Sequence, residues 1–275
     1  MHALVCLVLA VQPSSFAADA TGRELLLREE LGPGFTVVTE LPFVVVGNEA
    51  PAKVKERARD IVRRTAELLL KDFFEVPPDH LEEVWLFKDA ATYEQFSRQR
   101  FKIEPDTPYG YYLSSQHALV MNIRPGYGTL THELVHPFMH ESWPEAPAWL
   151  NEGLASLFEQ PYERDGHLKG GVNWRLPGLQ AALKRKQVPS FRALTQLDPS
   201  GFYDDDTGSH YAAARYLCYW LQEKGLLVKF VRRAIARRAE DPTGFEALTE
   251  VLGQDPDRLR PDWERFVLAL ERKRS

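Results

Sequence analysis

The chain has 275 residues, of which 44% are hydrophobic and 27% charged, and its formal net charge is -5 at pH 7. This length and composition predict a folded protein with one large domain, or a main domain with a small appendage. The mildly acidic charge gives no electrostatic basis for binding nucleic acid or an anionic membrane surface. No long apolar stretch follows the N-terminal segment, so we expect no nucleic-acid partner and no transmembrane segment after it.

The first 20 residues have the pattern of a bacterial secretory signal. An apolar run at residues 3–11 is followed by small residues, and cleavage after Ala17 or Ala20 fits this pattern equally well. The segment before the apolar run carries no Lys or Arg, although such signals usually begin with positive charge. We predict a signal peptide over residues 1–20 and a secreted or periplasmic protein, with a buried N-terminal strand as the alternative.

The two cysteines, Cys6 and Cys218, lie on opposite sides of the predicted cleavage point. Removal of the signal would leave one thiol, which cannot form an internal disulfide, so the mature fold must rely on its core. Cys218 falls within a helical pattern, where a lone cysteine is typically buried and unreactive. We therefore predict no nucleophilic role for Cys218.

Residues 21–148 combine strand and helix patterns. Runs rich in β-branched and aromatic residues, bounded by Pro, Gly and Asn, predict strands at residues 35–39, 43–46, 84–87, 111–113 and 118–123. Helical spacing of apolar residues predicts helices at residues 23–30, at residues 51–73 and after Asp89. The last two strands are separated by a short polar stretch and are predicted to form a hairpin.

Residues 149–275 carry helical patterns almost throughout. They predict helices at residues 149–159, 179–186, 210–224, 226–238, 245–252 and 262–272. The acidic run Asp204–Asp206 is interpreted as a solvated loop, because it lacks the ligand spacing of a calcium loop. The sequence thus predicts an α+β protein with a small N-terminal β-sheet and packed helices over residues 21–148, followed by an all-helical C-terminal half over residues 149–275.

The motif His-Glu-x-x-His lies at His132, Glu133 and His136, at the junction of these two parts. On a helix, residues four apart lie one turn apart on the same face, so the two histidines could bind one metal ion. Glu133 lies about 100° round the helix, where a base could take a proton from a metal-bound water. The preceding Thr129 or Thr131 could cap this helix. The motif alone occurs by chance in on the order of one in a hundred chains of this size.

A third ligand is predicted at Glu152. A hydrolytic zinc ion takes three protein ligands and keeps one position for water. Glu152 lies sixteen residues after His136, on the next predicted helix, and the chain can turn back between them. The alternatives are weaker: three histidines on one straight helix cannot all reach a tetrahedral ion, which disfavours His140, and Glu141 and Glu145 lie in the turn between the two helices. Pro137 should also kink or loosen the helix directly after His136.

These residues carry a family resemblance. The run at residues 132–136, His-Glu-Leu-Val-His, and the run at residues 147–155, Pro-Ala-Trp-Leu-Asn-Glu-Gly-Leu-Ala, resemble the gluzincin metallopeptidases. The similarity is to the bacterial peptidase-MA-like domain family and, more distantly, to thermolysin-like enzymes and aminopeptidases. Residues 110–112 leading into the strand at 118–123 resemble that family's edge strand, and the similarity extends over residues 35–270. It implies a thermolysin-like zincin core.

The resemblance implies a zinc-dependent metallopeptidase that acts on a peptide or protein substrate. His132, His136 and Glu152 would bind zinc, and Glu133 would be the general base that accepts a proton from a water whose pKa the zinc lowers towards 7. The peptide backbone would pair with the edge strand at residues 118–123. Two alternatives stay open: a non-catalytic zinc-containing module that binds peptide or protein, and a hydrolase of amides or esters that are not peptides.

The resemblance also implies that Tyr211 donates a hydrogen bond to the oxyanion, since a phenol is a neutral donor at working pH. His210 is the rival donor, and a core aromatic position is the alternative role for Tyr211. One departure concerns Ser156, which stands where thermolysin-like enzymes carry an aspartate that orients a zinc-binding histidine. The groups that orient the histidines are therefore open at this stage.

Overall fold

The computed structural model describes residues 13–204 and 208–272. The apolar run of the predicted signal peptide and two residues of the acidic run, Asp205 and Asp206, lie outside the described residues. Within the described ranges, no helix combines the length and the apolar character needed to cross a membrane. The predicted signal peptide stays a prediction.

Five strands form one mixed sheet: β1 (Thr36–Glu40), β2 (Phe43–Gly47), β3 (Glu82–Phe87), β4 (Gly110–Leu113) and β5 (Ala118–Asn122). Their order is β1-β2-β3-β5-β4, in which β2, β3 and β5 are parallel, while β1 and β4 pair antiparallel at the two edges. The predicted α+β class and the predicted hairpin between β4 and β5 are confirmed.

The predicted edge strand at residues 118–123 is wrong. β5 is buried along its whole length and pairs with β3 on one side and with β4 on the other. The edge of the sheet is β4, because the chain crosses from β3 to the far side of β5 before it returns. A hairpin places its two strands side by side, but which of them lies outside depends on pairing with a distant strand.

Both faces of the sheet are covered, as the continuous apolar run in β2 shows. Successive side chains of a strand point to opposite faces. Phe43 and Val45 pack in a large cluster with the helices of the second half, whereas Val44 and Val46 pack in a smaller cluster on the opposite face. A strand that is buried on both faces has no need for polar residues at alternate positions.

The helices of the first part are α1 (Pro13–Leu31), α2 (Pro51–Arg57), α3 (Arg64–Asp72), α4 (Ala90–Phe96), α5 (Gly128–Glu133) and α6 (Val135–Ser142). A π-helical stretch at residues 58–63 joins α2 to α3, so this predicted helix is continuous. The helix predicted after Asp89 is α4, and Asp89 caps it, because its side chain accepts a hydrogen bond from the Thr92 amide.

The helices of the second part are α7 (Ala148–Leu157), α8 (Leu176–Lys184), α9 (Phe191–Thr195), α10 (Pro199–Tyr203), α11 (Ser209–Glu223), α12 (Leu227–Ala236), α13 (Phe245–Leu252) and α14 (Arg260–Ala269). This part departs from the all-helical expectation at one antiparallel hairpin, β6 (Pro161–Arg164) with β7 (His167–Gly170). Asp165 and Gly166 form its turn with φ values of 54° and 70°. Asp-Gly is a strong signal for such a two-residue turn.

The large cluster contains side chains from both halves of the chain, among them Phe138, Phe158 and Tyr216. Within it, α7 packs closely on α11, because a Cβ atom at Gly153 would lie only 3.0 Å from the Ala214 carbonyl oxygen. The start of α5 also lies close to the end of α7: a Cβ atom at Gly128, the first residue of α5, would lie 2.1 Å from the Glu159 carbonyl oxygen. Absence of a side chain at these two glycines thus sets how α7 sits against α5 and α11.

Candidate metal centre

The helix that carries the histidine motif follows β5 in the chain and has one interruption. α5 ends at Glu133 and α6 begins at Val135, so the helix is interrupted at Leu134. The prediction had placed this interruption directly after His136. Pro137 has no N–H to donate to the Glu133 carbonyl, and its ring crowds that carbonyl, so the distortion appears on the N-terminal side of the proline, at Leu134. α6 then continues through Pro137 to Ser142.

The predicted threonine caps are also absent from the start of α5. Tyr127 occupies the capping position without a side-chain hydrogen bond. Thr131 lies inside the helix, where its hydroxyl donates to the Tyr127 carbonyl over 3.1 Å. A threonine that bonds back to a carbonyl four residues earlier is satisfied within the helix and is not available for capping.

The three predicted ligands come together. One ligand atom each from His132, His136 and Glu152 lies within 4.8 Å of the other two. Nε2 of His132 lies 3.4 Å from Oε2 of Glu152. In a tetrahedral zinc site with bonds of about 2.0–2.1 Å, neighbouring ligand atoms are about 3.3 Å apart. The donor set and its spacing fit a zinc ion.

Glu133 faces the same cleft as the three ligands. Its Oε2 lies 3.8 Å from Nε2 of His136, and its side chain is buried. Burial raises the pKa of the Glu133 carboxyl, and the charges of His132 and His136 oppose this only in part. A carboxylate whose pKa moves towards neutrality becomes a stronger proton acceptor at working pH, as a general base requires.

The electrostatics of the site favour a cation. Burial disfavours a charged imidazole at His132, but its hydrogen bond to Glu152 and the charges of nearby glutamates outweigh burial and raise the pKa of His132 to about 9. Burial likewise opposes ionisation of Glu152, but His132 and His136 outweigh it and hold the pKa of Glu152 at about 2. Three carboxylates, those of Glu133, Glu152 and Glu159, thus surround two histidines, and a bound cation would offset their charge.

Two groups are placed to orient the histidines. Nδ1 of His136 lies 3.0 Å from Oδ1 of Asn151, the residue before Glu152. Nδ1 of His132 is buried without a hydrogen-bond partner in the described part of the chain, and Oε1 of Glu159 lies 3.8 Å from it. A small movement of either side chain would close this separation to a hydrogen bond. Metal-binding histidines commonly donate their other ring nitrogen to such groups.

Glu159 supplies the carboxylate that is missing at Ser156. The Ser156 hydroxyl lies within its own helix, 3.5 Å from the Gly153 carbonyl oxygen. Glu159 is held from the other side by Arg175, at 2.7 Å and 3.0 Å, and by the Asn173 amide at 2.7 Å. It lies seven residues after Glu152 and two residues past the end of α7, where the turn that follows the helix brings it beside His132. Sequence reasoning did not single out Glu159.

Two tyrosines line the cleft beside Glu152. The Tyr203 hydroxyl donates a hydrogen bond of 2.9 Å to Oε1 of Glu152, a contact that sequence reasoning did not anticipate. Tyr211 lines the same cleft, and its ring centroid lies 6.0 Å from that of Tyr203. Burial, followed by the charge of Glu152, raises the pKa of both phenols above its ordinary value of 10, so both remain neutral donors at working pH.

The ring of Tyr211 also packs on Phe202 and against the guanidinium of Arg175, so the core and cleft roles of Tyr211 coexist. His210, the rival donor, has Nδ1 3.3 Å from the Phe202 carbonyl oxygen, and its ring lies nearly parallel to that of Phe202. The geometry therefore favours the two tyrosines over His210 as donors towards the ligand side of the cleft.

The cleft has a volume of about 1050 Å³. The edge strand β4 contributes Gly110, Tyr111 and Tyr112 to its lining, which also includes Trp174 and Arg175. The edge that sequence reasoning assigned to β5 is thus provided by β4, directly beside the histidines.

No protein-family model matches the chain, and a search of curated proteins also found no match. The resemblance to gluzincins therefore stays a prediction that rests on the residues of the two motifs.

Proposed function

We propose that the chain is a zinc-dependent metallopeptidase that hydrolyses peptide bonds. The observation that carries this proposal is the convergence of His132, His136 and Glu152 within 4.8 Å of one another, with Glu133 facing the same cleft. Ligands on a split helix and on the helix after it would leave one position of a tetrahedral ion for water. A site for structural zinc would have closed that position with a fourth ligand.

A zinc ion held there would lower the pKa of a bound water towards 7 and polarise a carbonyl group. Glu133 would accept the proton of that water and pass it to the leaving amine. Tyr211 would donate a hydrogen bond to the carbonyl oxygen as it gains negative charge, while the Tyr203 hydroxyl holds Glu152 in place. Asn151 and Glu159 would keep the histidine rings in the orientation that presents Nε2 to the metal.

The cleft supports a peptide as the substrate. β4 is a sheet edge, so the side of its backbone that faces away from β5 can pair with an extended chain. Added to the sheet in this way, a peptide would run along the wall that Tyr111 and Tyr112 form beside the histidines. Trp174, which is 58% exposed, would offer an apolar surface in the same cleft.

A non-catalytic peptide-binding module is the second candidate, because the open edge of β4 would serve binding equally well. The position of Glu133 argues against it, since a module that only binds peptide has no use for a proton acceptor beside the metal ligands. A hydrolase of amides or esters that are not peptides would use the same residues and differ only in substrate. The predicted signal peptide would place any of these activities outside the cell or in the periplasm.

Cleavage of a broad peptide library by purified protein tests the proposal. We expect cleavage that a chelator abolishes and zinc restores, and no cleavage by Glu133→Gln although this variant keeps its zinc. Glu145→Gln is a matched control, because Glu145 is exposed in the turn before α7 and should leave cleavage unchanged. If the wild type holds zinc and binds library peptides without cleaving any, the binding-module candidate replaces the peptidase.

A further inference from the structure

A second cluster of metal-binding side chains lies outside the site described so far. It consists of His80, Glu82 and His117, whose ligand atoms all lie within 4.8 Å of one another. His80 precedes β3, Glu82 is the first residue of β3, and His117 occupies the turn between β4 and β5 with a φ of 47°. Three separate segments thus bring two imidazoles and a carboxylate to one end of the sheet.

Glu82 is the central residue of this cluster. Its side chain is 0% exposed, and carboxylates are almost never fully buried without a partner. Its Oε1 accepts a hydrogen bond of 2.9 Å from the Tyr112 hydroxyl and lies 2.9 Å from Nε2 of His80. Its Oε2 and Nδ1 of His117 are buried with no hydrogen-bond partner among the described residues. Two orphaned buried ligand atoms in one cluster point to a missing occupant, because buried polar atoms are nearly always satisfied.

The spacing of the ligand atoms suits a tetrahedral ion. Oε1 of Glu82 lies 2.9 Å from Nε2 of His80 and 3.6 Å from Nδ1 of His117. These values bracket the separation of about 3.3 Å between neighbouring ligands of zinc. The two imidazole rings have centroids only 3.7 Å apart. A shared cation accounts for such an approach, whereas two protonated rings would repel each other.

The surroundings of His80 are those of a metal-binding histidine. Its Nδ1 lies 2.6 Å from Oδ1 of Asp79, while its Nε2 faces Glu82. This is the carboxylate–histidine–metal arrangement, in which the outer carboxylate fixes the ring and its tautomer. The His80 and His117 side chains are 28% and 43% exposed, so solvent reaches the cluster from one side. An ion could enter from that side and keep a water as its fourth ligand.

We propose that His80, Glu82 and His117 form a second binding site for a divalent transition-metal ion such as zinc. Two imidazoles with one carboxylate select borderline metals of this kind over calcium or magnesium, which prefer oxygen ligands. Tyr112 lies between the two sites: its hydroxyl contacts Glu82, and its ring lies parallel to that of His136, at 6.4 Å between centroids. The second site is therefore adjacent to the first but shares no ligand with it.

Metal content after zinc loading and dialysis tests this proposal. We expect about two zinc ions per wild-type chain, and about one in each of the double variants His80→Ala/His117→Ala and His132→Ala/His136→Ala. His167→Ala is the matched control, because His167 also contacts a carboxylate, that of Asp72, but belongs to no group of three candidate metal ligands within the described part of the chain. It should keep the wild-type metal content.

The variants separate the second site from the first. Loss of all zinc in His132→Ala/His136→Ala, or an unchanged zinc content in His80→Ala/His117→Ala, overturns the second site. If the wild type holds one ion that only His80→Ala/His117→Ala removes, the second site stands and the proposed peptidase site fails. Circular dichroism checks that each variant is folded.

The isosteric variant Glu82→Gln provides a second measurement should the double histidine variant fail to fold. It keeps the volume of the side chain and its contact with Tyr112 but removes the charged ligand oxygen. We expect its zinc affinity at this site to fall at least tenfold, and the absorption spectrum of the cobalt-loaded protein to lose the contribution of this site. An unchanged affinity together with an unchanged cobalt spectrum contradicts the assignment.

Discussion

Oδ1 of Asn151 lies 3.0 Å from Nδ1 of His136, and Asn151 is the residue directly before Glu152. One turn of α7 therefore carries both a candidate ligand and the group that orients another ligand from α6. An amide oxygen that accepts from Nδ1–H fixes the tautomer in which Nε2 is free to bind a metal. Any displacement of α7 would disturb both functions together.

Asn151→Ala should lower zinc affinity about 10- to 100-fold, because His136 loses the hydrogen bond that holds its ring. The measurement is competition with a chelator of known affinity. Asn151→Asp, which keeps an acceptor oxygen at the same place, should retain most of the affinity. Equal affinities for Asn151→Ala and the wild type would show that His136 is held by packing alone, for instance against Tyr112.

Glu159→Gln should also lower zinc affinity, since it removes the carboxylate that faces Nδ1 of His132 and weakens the contact with Arg175. We expect a loss on the order of tenfold. Glu163→Gln is the control, because Glu163 lies on β6 and pairs with Arg64 at the surface, away from the cleft. If both variants bind zinc as tightly as the wild type, Glu159 has no orienting role.

Gly128→Ala should destabilise the fold and the site together, because its Cβ atom would lie 2.1 Å from the Glu159 carbonyl oxygen. Overpacking of this kind costs about 1–3 kcal/mol, and thermal unfolding with and without zinc measures it. Gly178→Ala in α8 should have the opposite sign, since a Cβ atom there meets nothing within 4 Å and alanine is favoured within helices by about 0.5–1 kcal/mol. A neutral Gly128→Ala would mean that α5 and α7 can move apart freely.

Cys218 should not react with thiol reagents in the folded protein. Its side chain is fully buried, and burial raises the pKa of its thiol to about 12, with Arg215 opposing the shift. The reactive thiolate is therefore scarce at pH 8 and becomes abundant only as pH rises towards that value. Labelling should be negligible at pH 8 and complete in denaturant. Rapid labelling of the native protein would contradict the buried position.

Local patterns sufficed for most of the fold. β2 and β3 were predictable because their apolar, β-branched runs are bounded by turns, and the two histidines because a spacing of four residues fixes one helix face. Glu152 was predictable because it lies in the first turn of the next helical pattern, at residues 149–159. The turn at Asp165 and Gly166 was overlooked, although its signal is local.

The remaining features depend on contacts between distant parts of the chain. That β4 and not β5 forms the edge follows from the pairing of β5 with β3, which no local pattern encodes. The contact between Tyr203 and Glu152 joins residues that lie 51 positions apart. The cluster of His80, Glu82 and His117 likewise forms only when β3 and β5 pair, so no local pattern indicates it.

The anomalous difference map of a zinc-loaded crystal, recorded at the zinc edge, tests the central claim most directly. We expect a peak about 2.0–2.1 Å from Nε2 of His132, Nε2 of His136 and a carboxylate oxygen of Glu152, with Glu133 next to the ion but not bound to it. Zinc-loaded crystals of the folded protein that show no peak between these three side chains would contradict the proposed metallopeptidase site.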